Sequence, residues 1–259
     1  MHLRPVVTVA FILSVVAPAA AQPPSPQAPA SLAAAERGGG EWIEFVSRED
    51  RVTCNFPGQP TVTQATYKSQ FGADLPARVY SAQQGPSRYS LTVVDYTDIE
   101  KILTEKAKSC PAGAETCRGG GSSTGPGYSR ADVAGALIYA TWNLMQRDAT
   151  VTHFLWNNID LVGGHQLHLT NRDGSRTLAA VYMHANRLYV AEGTVPEGYP
   201  EPGLFQQSLG WIDENGNGIR YQTLYHQSFA PPPAGRGGQG GPGGRGGNAG
   251  PGGRGGQGQ

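Results

Sequence analysis

Ser129-Arg-Ala-Asp-Val-Ala-Gly-Ala-Leu-Ile-Tyr-Ala-Thr-Trp-Asn-Leu-Met-Gln-Arg-Asp148 is the stretch whose reading decides the fold. Its apolar residues recur at helical spacing. Val133, Leu137, Ala140 and Leu144 form one line, and Ile138, Trp142 and Met145 form a second beside it. Ser129 has the chemistry of an N-cap, and Asp132 falls in the first turn, where a negative charge suits the helix dipole. Two adjacent apolar lines are more than a surface helix needs. The expectation is a deeply packed helix.

Both flanks have strand character. Before the helix, Trp42–Val46, Arg51–Phe56, Thr61–Tyr67, Ala77–Gln83 and Arg88–Tyr96 alternate or are β-branched, and Pro57-Gly58 and Gly85-Pro86 punctuate them. Asp98–Ser109 reads as a short helix with Asp98 at its start. After it, Val151–Leu161, His165–Thr170, Arg176–His184 and Arg187–Thr194 are four strands. Their turns are assigned to Gly163-Gly164, Asp173-Gly174 and Ala185-Asn186. Gly203–Ile212 reads as a last helix, and Gly216–Tyr225 as a closing hairpin or extended segment. Neither half is large enough for a core of its own. The expected fold is therefore α+β: one antiparallel sheet packed with helices, in a single domain over 41–230. On this reading Leu137→Asp unfolds everything in one transition.

The ends have other compositions. Residues 1–21 read as a signal peptide, with a basic start, the apolar run Val6–Ala17 and the small-residue site Ala19-Ala20-Ala21. That run is shorter than the ~20 residues of a membrane span. Residues 22–40 are a Pro/Ala/Gly linker. Residues 231–259 are a Gly/Arg-rich repeat expected to be disordered, with Arg236, Arg245 and Arg254 nine apart. The expected location is periplasmic or secreted, with no transmembrane span in the mature chain. Setting aside Arg4 and the three tail arginines leaves 16 basic residues against 20 acidic ones. That balance makes nucleic acid an unexpected partner, and the tail, without an aromatic residue, offers no stacking platform. Contact between the tail and an anionic surface such as lipopolysaccharide or peptidoglycan is the alternative to a plain solvated tail.

Three cysteines are present. Cys110 and Cys117 flank a six-residue loop, and in an oxidising compartment they are expected to form a disulfide. Cys54 alternates with Val52 and Phe56 and reads as a buried, inert thiol. The Gly/Ser-rich link over 118–127 lacks the Lys and Ser/Thr of a phosphate loop.

Trp42 with Phe45, followed by Arg51-Val-Thr-Cys-Asn-Phe-Pro-Gly-Gln-Pro60, resembles the opening of exported bacterial proteins with a PsbP-like domain. Asn186-Arg-Leu-Tyr-Val190 and the later Leu204-Phe-Gln-Gln-Ser-Leu209 are similar to that pattern's end. The resemblance runs over Glu41–Ile212. It implies an antiparallel sheet sandwiched by helices and a non-catalytic binding or assembly role, and it carries over no functional residue. The Cys loop, the Gly-rich insert and the tail depart from the pattern.

Asp213, Asn215 and Asn217, followed by Gly218, space oxygen ligands as the start of a calcium loop does, but Leu224 stands where the closing glutamate belongs. His165 and His168 are three apart on a strand and point to opposite faces, so they read as ordinary strand histidines rather than zinc ligands. His184 is the residue placed to approach them across the sheet. No nucleophile-and-base pattern is present. No cofactor or catalytic residue is expected. The expected function is a non-catalytic exported module that binds or assembles with an envelope component. A small-molecule or lipid carrier, or an enzyme with an unrecognised site, are the alternatives.

Overall fold

The structure, a computed structural model, describes residues 41–109, 127–225 and 227. The signal peptide, the linker, the Cys110–Cys117 pairing, most of the Gly-rich link and the repeat tail lie outside the described residues. In chain order the elements are β1 (Trp42–Ser47), β2 (Val52–Pro57), β3 (Thr61–Lys68), β4 (Asp74–Gln84), β5 (Ser87–Asp95), α1 (Ile99–Lys108) and α2 (Gly127–Met145). Then follow β6 (Ala149–Ile159), β7 (Val162–Asn171), β8 (Arg176–His184), β9 (Arg187–Val195), α3 (Gly203–Gln206) and β10 (Gly210–Trp211).

Tight turns build two antiparallel meanders, β3-β4-β5 and β6-β7-β8-β9. The last strands of the two, β5 and β9, pair with each other, giving one seven-stranded sheet in the order β3-β4-β5-β9-β8-β7-β6. The Ala185-Asn186 turn has φ of 48° and 59°, the two left-handed residues that match hairpin twist. The β6–β7 turn is not at Gly163-Gly164 as the sequence suggested. It is made by Asp160 and Leu161, with φ of 47° and 63°. The two glycines sit inside β7 because their strand neighbours need the room. A Cβ on Gly164 would collide with the Tyr182 ring and the Val181 carbonyl, and one on Gly163 would press on the Trp156 indole.

The sheet is covered differently on its two faces. On one, α1 and α2 bury Ile99, Val133, Ala136, Ala140 and Leu144 against Leu75, Val94, Leu167, Val181 and Leu188. On the other, a small sheet in the order β1-β2-β10, together with α3, buries Val52, Phe56, Phe205 and Trp211 against Leu91, Ala180, Tyr182 and Tyr189. The expected sandwich of helices on both faces is therefore corrected. Helices cover one face, and a three-stranded sheet with a single helical turn covers the other. A buried ionic anchor pins that small sheet. Asp50, in the β1–β2 turn, accepts from the Arg78 guanidinium and from Tyr80 Oη at 2.5 Å, and its carbonyl accepts from Tyr189 Oη at 2.7 Å. The hydrogen bond from Arg78 to Asp50 raises the guanidinium's already high pKa.

Four further expectations are corrected. Ser129 is not the N-cap: the helix begins at Gly127, and Ser129 is buried within its first turns. Asp132 serves tertiary structure, accepting from Ser69 Oγ, which itself accepts from the Ala73 amide at 2.9 Å. The last helix spans only Gly203–Gln206, because the chain turns into β10 to pair with β2. The helix α2 is packed along one line only. It runs over β7, β8 and β9, and Ala136 and Ala140 let it lie close. Leu137 is half-buried beside that line, while Ile138 and Trp142 are 65% and 57% exposed.

Candidate interface along the β6 edge

Beyond β7, on which α2 rests through Thr141 and His165, lies an unusual strand. Ala149-Thr-Val-Thr-His-Phe-Leu-Trp-Asn-Asn-Ile159 contains no Asp, Glu, Lys or Arg, and as β6 it forms one edge of the large sheet. Sheet edges are ordinarily blunted by charge, proline or a cover. A register shift between Val151 and His153 sets how this strand presents its side chains. Val151 pairs with Leu169, yet His153 pairs with His168 and Phe154 with Leu167. The extra residue flips every side chain after it to the other face. Phe154 and Trp156 are thereby sent to the helix side, and His153 to the opposite side.

On the helix side a shallow apolar groove results. His165 forms its floor. Thr141 Oγ donates to the Leu137 carbonyl at 2.8 Å, so its oxygen accepts from His165 Nδ1–H at 2.9 Å, which fixes the tautomer. Burial holds the His165 pKa below its ordinary value. Phe154 meets the His165 ring edge-on at 5.2 Å, and Trp156 pairs with His165 in register and lies over Gly163. Ile138 and Trp142 are exposed on α2, whose Thr141 bonds His165. Phe154 and Trp156 remain about half exposed. Large apolar side chains grouped in this way mark an interaction surface.

The other residues singled out by sequence lie elsewhere. His168 is on the outer face opposite His153, as the three-residue spacing from His165 requires. His184 does not approach either. It is buried in the second core beside Trp211, with Nε2 2.7 Å from Tyr221 Oη. Asp213, Asn215 and Asn217 do come together, but in a self-contained turn. The Asp213 carboxylate accepts from the backbone amides of Asn215 and Asn217, both at 2.8 Å, and from Asn217 Nδ2 at 3.1 Å. Those bonds hold its pKa below the usual carboxylate value. Cys54 is buried, 3.4 Å from Ser208 Oγ, and burial pushes its thiol up to about 12. At that value it is not a thiolate nucleophile.

One group of titratable side chains does converge. Tyr67, Tyr96 and Asp132 interact electrostatically beneath α2, and burial raises the pKa of each. Asp132 and Tyr96 are closed off from solvent at 0% and 1% exposure, so substrate has no access to them. Of these regions, sequence reasoning missed the β6 groove and His153. The signal available was an eleven-residue strand with no charge; the bulge that orients it is set by pairing.

No family model matches the chain, and no curated protein matches it. Among solved structures, the solution structure of cyanobacterial PsbP (CyanoP) from Synechocystis sp. PCC 6803 is similar over 62% of this chain and 82% of its own. The identity is 13% and the TM-score 0.33, which makes the likeness weak. Among the described residues, no helix is long and apolar enough to cross a membrane.

Proposed function

We propose that the protein is an exported, non-catalytic binding module of the bacterial envelope that takes up an extended segment of a protein partner along β6. The observation that carries this reading is the uncharged eleven-residue edge strand with its exposed Phe154 and Trp156. Strand addition gives main-chain hydrogen bonds along such an edge, and alternate side chains of the added strand supply specificity. Here the alternate side chains on one face of the incoming strand would be apolar, to fill the groove beside α2. A strand of this length plus the groove offers on the order of 800 Å² per partner, the size of a standard interface. The carrier alternative has less support, because Val133, Ala136, Ala140 and Leu144 already fill the space between sheet and helices.

A photo-crosslinking amino acid at position 154, in cells producing the full chain, tests the proposal. Crosslinks are expected to map to one extended segment of one envelope protein and to vanish when Trp156→Lys is added. The same probe at Thr63, on the opposite edge strand, is expected to give none of them. Crosslinks that scatter over many proteins, or that persist unchanged with Trp156→Lys, exclude strand addition at β6.

A further inference from the structure

We propose that His153 and His168 form a two-imidazole site for a divalent transition-metal ion on the face of β6 and β7 turned away from the groove. The two residues are directly opposite each other in the strand register, and their ring centroids are 4.8 Å apart at an interplanar angle of 46°. A metal–imidazole bond is about 2.1 Å long, which puts the ring centroid about 3.2 Å from the ion. Two such rings at ligand angles of about 90–110° have centroids about 4.5–5.2 Å apart. The observed spacing falls inside that range.

Two further features were not built for packing. The first is the register shift between Val151 and His153. Without it His153 would lie opposite Leu167, on the helix side. Bulges re-aim side chains in this way next to functional sites. The second is Gln206. It is 1% exposed, and its Nε2 donates to the carbonyls of Ala179 at 2.7 Å and Leu167 at 3.4 Å. That arrangement leaves Oε1 to accept from a ring N–H of His168. A hydrogen bond on one ring nitrogen fixes the tautomer and leaves the other nitrogen's lone pair for a metal, as outer partners of metal-bound histidines do.

Imidazole donors suit Cu(II), Ni(II) and Zn(II), with Cu(II) the tightest. Among the described residues no three His, Cys, Asp or Glu side chains converge to hold a metal. Water therefore completes the coordination, and the site is open and of micromolar rather than nanomolar strength. Because it clamps the edge strand to its neighbour, a bound ion would stabilise the register of β6 by mass action. The inference stands independently of the strand-addition proposal.

The test uses the untagged full chain, stripped with chelator, and Cu(II) as probe, followed by titration calorimetry and electron paramagnetic resonance. One site with two nitrogen ligands is expected. His153→Ala and His168→Ala should each weaken it at least tenfold, while His165→Ala, on the opposite face, should leave it within threefold. Thermal melts of the stripped variants establish that each still folds. If His153→Ala binds Cu(II) as tightly as the unsubstituted chain, or if His165→Ala loses as much as the other two, the site is not this pair.

Discussion

His184 packs against Trp211 and Tyr225, with ring centroids 4.9 Å away in each case, and 1% of it is exposed. Burial, helped by the positive charges of Arg187 and Arg51, pushes its pKa down from 6.5 to about 4. The ring is thus uncharged in the folded protein at pH values where the unfolded chain would already be protonated. Its contribution to stability is complete above pH 6.5 and is lost as pH falls from 6.5 through about 4, by roughly 3 kcal/mol. Urea unfolding at a series of pH values should show that slope, and His184→Phe, which keeps an aromatic ring among Trp211, Tyr221 and Tyr225, should flatten it. An unchanged slope would place the acid sensitivity elsewhere. The sequence carried the histidine but not its surroundings. His184 meets Trp211 and Tyr225 only because β10 and the following segment fold back over the second face.

The elements divide according to how local their causes are. Strands β2 to β5 and β7 to β9 were legible, because alternation and turn residues act within a few positions. The Gly163-Gly164 pair has the composition of a turn, but here glycine is a space maker inside a strand. Gly164→Ala is expected to cost roughly 3 kcal/mol by overpacking, since the obstructing Val181 carbonyl is backbone and cannot swing aside. Gly203→Ala, which meets open space, should change the urea midpoint little. Equal effects at the two positions would contradict the packing account. The metal pair and the groove were both hidden by the same event. A shift of one residue in the pairing of β6 with β7 decides which of its side chains face α2, and pairing is not written in one strand alone.

At the scale of the whole molecule, the β5–β9 pairing makes the two meanders one sheet, and both core clusters draw on strands from each meander. Damage to either half should therefore be felt by both. Leu91→Ala, fully buried on β5 opposite Ala191 of β9, is expected to cost about 2–5 kcal/mol. Leu137→Asp, at the half-buried margin of α2, should also act on the whole domain. In both variants, circular dichroism and tryptophan fluorescence should report one coincident transition; two separated midpoints would mean two units.

The sequence by itself determined most element types, the single α+β domain and the buried thiol of Cys54, because hydrophobic period and turn chemistry are local properties of the chain. It also identified a strand over Val151–Leu161, observed as β6 over Ala149–Ile159. Tertiary structure alone decided what that strand presents. Three non-local facts did so: β6 lies at the sheet edge, it is bulged against β7, and α2 packs over β7 to β9 and leaves Ile138 and Trp142 exposed. Each depends on which distant segments meet, so the same apolar residues that read as core in the sequence stand at the surface in the fold.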